Sequence, residues 1–114
     1  MSSSSLPSDR PRLGRFGERL AADFLQRRGA VIVARNLETA GGEIDLVVDF
    51  GRERAAVEVR AARRRDVAPD LFSRDKERQV RALAALLEPP VFRIDFVTVL
   101  VKPDGVTVRW HPRV

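Results

Sequence analysis

The sequence lacks several features that would indicate particular classes of protein. It contains no cysteine, which excludes disulfide bonds and thiolate metal sites. No apolar run approaches the roughly 20 residues that a membrane-spanning helix needs, and residues 1–12 lack the apolar segment of a secretory signal peptide. Gly41-Gly42 is not followed by the Lys-Ser/Thr pair of a phosphate-binding loop. These absences predict a cytoplasmic protein with no membrane partner.

Basic residues, in contrast, are abundant. The formal net charge is +5 and the pI is about 11.1, which favours an anionic partner, nucleic acid first. Of the 21 basic residues, 19 are arginine, a bias that genomic base composition also produces. Arg63, Arg64 and Arg65 form a cluster at the end of a predicted strand. We expect this cluster to contact nucleic acid, and a solvated loop is the alternative.

The length of 114 residues is that of one domain. Residues 1–12, which are rich in Ser, Pro and Arg, are predicted to be a disordered leader, and residues 13–114 a single domain. Apolar periodicity predicts helix 13–28, strands 31–38, 42–50 and 54–62, helix 74–88, and strands 92–101 and 106–110. The order α-β-β-β-α-β-β indicates an α/β or α+β domain, with a mixed sheet flanked by helices.

Strands 42–50 and 54–62 are predicted to form a hairpin. Polar and apolar side chains alternate along both strands, and Gly51-Arg52 between them suits a two-residue type II′ turn. Strict alternation sets Ile44 and Leu46 on one face of the hairpin and the acidic residues of the first strand on the other.

The register of this hairpin brings acidic side chains together. It places Asp45 opposite Glu58, and Glu43 opposite Arg60. Opposed Cβ atoms on antiparallel strands lie about 4.5–5.5 Å apart, where like charges destabilise the pair. A divalent cation that prefers oxygen ligands, Mg²⁺ or Mn²⁺, would remove that cost between Asp45 and Glu58. The alternative is a solvated polar face with an ordinary Glu43–Arg60 ion pair.

Each predicted helix carries one charged residue in an unusual place. Glu18 lies at the edge of the apolar stripe of the first helix, not on its polar face. Lys76 begins the apolar stripe of the second helix, and we expect its ammonium to point along the core face toward a sheet edge. Snorkelling of Lys76 to solvent is the alternative.

Several of these segments together resemble a known family. They are Gly17-Glu18 in the first helix, Arg35-Asn36 in the first strand, GEIDL at 42–46, VEVR at 57–60, Lys76 in the second helix, and RIDFV at 93–97. This combination, spread over residues 13–110, resembles the PD-(D/E)xK nuclease superfamily with its restriction-endonuclease-like fold. The closest resemblance is to the YraN-like bacterial family, which is itself similar to archaeal Holliday-junction resolvases.

The resemblance implies a metal site. Asp45 and Glu58 would be the ligands of Mg²⁺ or Mn²⁺, with the carbonyl of Val59 as a third. Glu18 would reach the metal from the first helix through water, and Lys76 would be a supporting basic residue.

The resemblance also implies an activity, with one departure from the motif. Arg60 occupies the position of the motif's lysine, and an arginine is always protonated, so it would stabilise phosphate charge and not act as a base. The implied function is that of a nucleic-acid-binding protein and a metal-dependent endonuclease on branched DNA. The alternative is a catalytically inactive nucleic-acid-binding or adaptor domain.

Overall fold

The computed structural model describes residues 10–63 and 73–114 of the chain. The elements are α1 (Arg10–Arg27), β1 (Val31–Thr39), β2 (Gly42–Phe50), β3 (Glu53–Arg63), α2 (Arg74–Ala85), β4 (Arg93–Lys102) and β5 (Gly105–His111). This order confirms the predicted one. Within the described residues, neither helix is both long and apolar enough to cross a membrane.

The predicted leader and the predicted basic cluster fall only partly within the described residues. Helix α1 begins at Arg10, so residues 10–12, predicted to be leader, form its first turn, where a proline such as Pro11 is tolerated. Residues 1–9 of the predicted leader lie outside the described residues. So do Arg64 and Arg65 of the predicted basic cluster, whereas Arg63 ends β3.

The five strands form one mixed sheet in the order β1-β2-β3-β4-β5. All neighbours are antiparallel except β3 and β4, which are parallel. Parallel neighbours require a crossover connection, and α2 lies within it. The predicted mixed sheet flanked by helices is therefore confirmed.

Each helix covers its own hydrophobic core on the sheet. The first core lies under α1 and joins Ala22 and Leu25 to Val57 of β3. The second core lies under α2 and joins Val80 to Ile94 of β4. Because the two cores contain different helices, membership of one or the other shows which face of the sheet a strand residue occupies.

Helix α1 approaches β3 unusually closely at Gly17. A Cβ built on Gly17 would lie 2.6 Å from Cβ of Ala61, closer than two carbon atoms can pack without displacing the helix. A glycine at this position therefore lets the backbone of α1 rest on β3. The next residue is Glu18, so the close approach also brings an acidic side chain to the sheet.

The alternation of faces is broken in β2 at Asp45 and in β1 at Asn36; β1 also has a register shift between Ile32 and Ala34. Leu37 pairs with Ile44, and both pack toward α2, whereas Leu46, two residues beyond Ile44, packs toward α1. The prediction that Ile44 and Leu46 share a face is therefore wrong. The physical reason lies between these two pairs. Asn36 has a positive φ of 49°, and Asn36 and Asp45 do not pair with each other, although the residues on either side of them do.

A network of charged side chains lies around Asp95, near the start of β4. Asp95 is fully buried and accepts two hydrogen bonds from Arg93 at 2.9 and 3.1 Å, and one from Nε1 of Trp110 at 2.9 Å. The backbone N–H of Arg113 donates to the same carboxylate at 3.1 Å. The carboxylate is thus satisfied by protein donors, and it fastens the C-terminal residues to β4.

Candidate metal centre

An open pocket of about 770 Å³ lies between the two helices and contains most of the predicted site residues. Its lining includes Glu18 from α1, Glu43 and Asp45 from β2, Glu58 and Arg60 from β3, and Lys76 from α2. The structure therefore brings together side chains from four elements. All five residues predicted to be catalytic are among them.

Three of these carboxylates form a tight group. One oxygen each from Glu18, Glu43 and Asp45 can be chosen so that all lie within 4.8 Å of one another. Oxygens around Mg²⁺, at about 2.1 Å from the ion, lie about 3–4 Å apart. The three side chains need only a small adjustment to become ligands of one ion.

Glu43 is the residue of this group that sequence reasoning missed. It was predicted to share a face with Asp45 and to lie opposite Arg60. Because the alternation breaks at Asp45, Glu43 instead lies beside Glu18 of α1. No Glu43–Arg60 ion pair forms in the structure; Arg60 Nε lies 3.7 Å from Oε2 of Glu58. No local pattern in the sequence signals this change of face.

The hairpin register itself is as predicted. Pairing of β2 with β3 runs from Phe50–Glu53 to Leu46–Val57, in the register set by Gly51-Arg52. The ladder ends one pair before Asp45 and Glu58. Beyond that point, a side chain replaces the backbone as acceptor: Oδ2 of Asp45 accepts a hydrogen bond of 2.8 Å from the N–H of Val59. The predicted metal ligand from Val59 is its carbonyl, which stays a prediction.

Burial and crowding raise the pKa of two carboxyl groups in the pocket. The pKa of Asp45 is raised to about 7, chiefly by burial and next by the charge of Glu58, while the hydrogen bond from Val59 opposes the rise. The pKa of Glu18 is also raised, first by burial and then by the charges of Asp45 and Glu43; a hydrogen bond from Asn36 opposes it. Ionising Asp45 and Glu18 is therefore costly without a nearby cation.

Glu58 differs from the other carboxylates because it has cationic partners. It is 3% exposed, and its Oε2 lies 3.3 Å from Nζ of Lys76. The interpretation that Lys76 points along the core face toward the sheet is confirmed. Among the described residues, no ion pair reaches Glu18, Glu43 or Asp45.

Arg60 presents a donor that no described residue satisfies. Its Nε is buried and has no hydrogen-bond acceptor among the described residues. At 3.7 Å, Oε2 of Glu58 is near enough for electrostatic attraction but too far for a good hydrogen bond. The Arg60 side chain as a whole is 41% exposed, so its guanidinium can meet an acceptor that enters the pocket.

A second, basic cleft of about 170 Å³ adjoins the carboxylates. Arg15 and Arg19 of α1 and Arg35 of β1 line it together with Glu18, and all three arginines are exposed. Sequence reasoning did not assign these arginines to nucleic-acid binding, although Arg15 and Arg19 are one helical turn apart and next to Glu18. The pocket is also lined by Arg63, from the predicted cluster.

Comparison with known proteins places the acidic residues of the pocket within one family. The family model described as uncharacterised protein family UPF0102 matches residues 17–99. The chain belongs to the UPF0102 family. This confirms the resemblance to the YraN-like family, and the UPF0102 match includes every acidic residue of the pocket.

Curated UPF0102 proteins match over most of both chains. One from Symbiobacterium thermophilum is 39% identical over 102 residues, which cover 82% of this chain and 86% of the relative. One from Parvibaculum lavamentivorans is 41% identical, with 89% and 83% covered. One from Renibacterium salmoninarum is 42% identical, with 82% and 85% covered.

Proposed function

We propose that this UPF0102 protein binds nucleic acid and is a Mg²⁺- or Mn²⁺-dependent endonuclease acting on branched DNA. The observation that carries the proposal is the group of ligand oxygens from Glu18, Glu43 and Asp45 within 4.8 Å of one another. Branched DNA as the substrate follows from the resemblance to the PD-(D/E)xK superfamily and to Holliday-junction resolvases.

The donor set fits a hard divalent cation. Carboxylate oxygens are the ligands that Mg²⁺ and Mn²⁺ prefer, and the described part of the chain contributes no cysteine or histidine to the pocket. Burial first, and then the charges of neighbouring carboxylates, raise the pKa values of Glu18 and Asp45, so a bound cation would favour their ionised forms. Oε2 of Glu58 is engaged with Lys76, whereas Glu18, Glu43 and Asp45 have no ion pair among the described residues. That Glu58 also binds the ion, through its other oxygen, stays a prediction.

The cationic side chains of the pocket fit the handling of a phosphodiester. When bound, the ion would lower the pKa of a water ligand and offset charge developing on the phosphate. Arg60, whose side chain is 41% exposed, would donate to a non-bridging phosphate oxygen. Since arginine stays protonated at all working pH values, Arg60 stabilises charge and does not accept the proton.

Basic side chains around the carboxylates support binding of a nucleic-acid strand. Arg15, Arg19 and Arg35 line a cleft that shares Glu18 with the pocket, and Arg63 lines the pocket itself. A strand held by these arginines would bring a phosphate near the carboxylates. Affinity should then fall with salt, at a log–log slope of about −0.9 per phosphate neutralised on duplex DNA.

Cleavage assays test the proposal directly. Labelled junction, flap, single-stranded and duplex DNA are incubated with the protein in Mg²⁺, Mn²⁺ or EDTA. We expect cleavage of branched DNA with either metal and none in EDTA. Asp45→Asn should abolish cleavage while preserving most DNA affinity. Asp49→Asn is the matched control, because Asp49 lies on the same strand but pairs with Arg54 outside the pocket.

A catalytically inactive nucleic-acid-binding domain is the second candidate. The replacement of the motif's lysine by Arg60 favours it, because a compact ammonium can contact the attacking water and a planar guanidinium fits that task poorly. Salt-dependent DNA binding without cleavage in either metal would support this candidate and contradict the nuclease. Binding that does not respond to salt would instead indicate a protein adaptor.

A further inference from the structure

Asn36 has a backbone conformation that is uncommon for its place in a strand. Its φ of 49° lies in the left-handed region, where asparagine is among the few non-glycine residues found with any frequency. The pairs on either side, Arg35–Leu46 and Leu37–Ile44, place Asn36 across from Asp45. The break in alternation is therefore centred on Asn36 and one of the candidate metal ligands.

The same conformation directs the Asn36 side chain to the other two carboxylates. Its Nδ2 donates to Oε1 of Glu18 at 2.8 Å and to Oε1 of Glu43 at 3.3 Å. One amide group thus links an acidic residue of α1 to one of β2. Each carboxylate uses a single oxygen in this contact and keeps its second oxygen for another partner.

We propose that Asn36 is a positioning residue that holds Glu18 and Glu43 in the orientation needed to bind the cation. The inference rests on the proposed function, since it assigns a role within the same site. Two carboxylates on different elements repel each other, and among the described residues the amide group of Asn36 donates to both of them, which offsets this repulsion. Without the amide, the side chains of Glu18 and Glu43 would separate. Part of the binding free energy of a cation would then be used to bring them together, and its affinity would fall.

A purely structural role for Asn36 can be separated from this one by substitution. Glycine adopts a φ near +49° without strain, so Asn36→Gly keeps the backbone path and removes only the amide. If Asn36 serves just to break the alternation of β1, Asn36→Gly will bind metal as the wild type does. If the amide positions the carboxylates, affinity will fall.

The matched control is Arg113→Gly. Arg113 is the other non-glycine residue with positive φ in the described part of the chain, at 54°, and it contacts Glu53 away from the pocket. Arg113→Gly, like Asn36→Gly, removes a side-chain contact at a position with positive φ. It therefore controls for any general loss of stability caused by Asn36→Gly. It leaves the carboxylate group intact.

Mn²⁺ affinity, measured by calorimetric titration without DNA, tests the inference. Titrations are run at a temperature where circular dichroism shows every variant folded. We expect Asn36→Gly to bind Mn²⁺ about 10–100-fold more weakly than the wild type, the usual effect of losing a group that orients metal ligands. Arg113→Gly should bind within about twofold of the wild type.

The outcomes separate the inference from the function on which it rests. Equal or tighter Mn²⁺ binding by Asn36→Gly would overturn the role of Asn36 and leave the metal site standing. A wild type that binds no Mn²⁺ would overturn both. A wild type that binds Mn²⁺ but cleaves no DNA would refute the nuclease, and the loss of affinity in Asn36→Gly would still establish the positioning role.

Discussion

Replacement of Asp45 by asparagine should stabilise the metal-free protein, although it removes a candidate ligand. Asparagine has nearly the same shape, and its side-chain oxygen can still accept the hydrogen bond that Val59 donates to Asp45. What the substitution removes is a negative charge that is partly buried beside Glu58. The folded variant does not have to keep an ionised carboxylate in this partly buried position, so its free energy of unfolding should be higher.

The size and pH dependence of the gain follow from the raised pKa. A rise from the ordinary value of 3.8 to about 7 corresponds to about 4 kcal/mol at about 1.36 kcal/mol per unit. Asp45 is only half-buried, so we expect about 2 kcal/mol, or about 8 °C in Tm for a chain of this length.

The sign of the effect sets the pH window. Below about pH 4, the carboxyl of Asp45 is protonated in both states, and Asp45→Asn should change little. Between about pH 4 and 7, the unfolded chain releases the proton before the folded chain does, so the wild type loses stability as pH rises. Above about pH 7, the full advantage of the variant should be present.

Urea unfolding in EDTA at about pH 4, 6 and 8 measures this advantage. Asp49→Asn is the control with the opposite sign, because hydrogen bonds from Arg54 lower the pKa of Asp49. An Asp45→Asn variant no more stable than the wild type at pH 8, or equally stabilised at all three values, would refute the reasoning. Adding Mn²⁺ should raise the Tm of the wild type and not that of Asp45→Asn.

Three further substitutions test other parts of the structure. Arg60→Lys should raise the cleavage rate in a DNA cleavage assay, because the smaller ammonium can contact the attacking water; an unchanged or lower rate would contradict this. Gly17→Ala should cost about 1–2 kcal/mol in urea unfolding, because its Cβ would meet Ala61 at 2.6 Å, and full stability would show that α1 can move away. Asp95→Ala should cost about 3 kcal/mol, the lower end for a broken buried ion pair, because Arg93 keeps Glu53 as a partner. Mn²⁺ affinity should stay unchanged, and weaker Mn²⁺ binding would show that the Asp95 network and the pocket are coupled.

The parts of the fold that local sequence determines could be predicted. Alternation and the Gly51-Arg52 turn are properties of neighbouring residues, so they gave the hairpin register from Leu46–Val57 to the turn. The element order followed from apolar periodicity in the same way. The start of α1 was set three residues too late, because an arginine- and proline-rich stretch resembles a leader in composition.

The grouping of the carboxylates could not be predicted in the same way. It depends on the conformation of one residue, Asn36, and on how far α1 approaches the sheet at Gly17. Neither is encoded in a periodic pattern, since both result from contacts between elements distant in the chain. Alternation alone therefore set Glu43 opposite Arg60, whereas its partner in the structure is Asn36.

The position of a bound ion tests the central claim most directly. Crystals soaked in Mn²⁺ would locate the ion by its anomalous scattering. We predict a peak between the carboxylates of Glu18, Glu43 and Asp45, with the Lys76–Glu58 pair intact beside it. No peak in the pocket at millimolar Mn²⁺, or a peak that none of these three carboxylates contacts, would contradict the account.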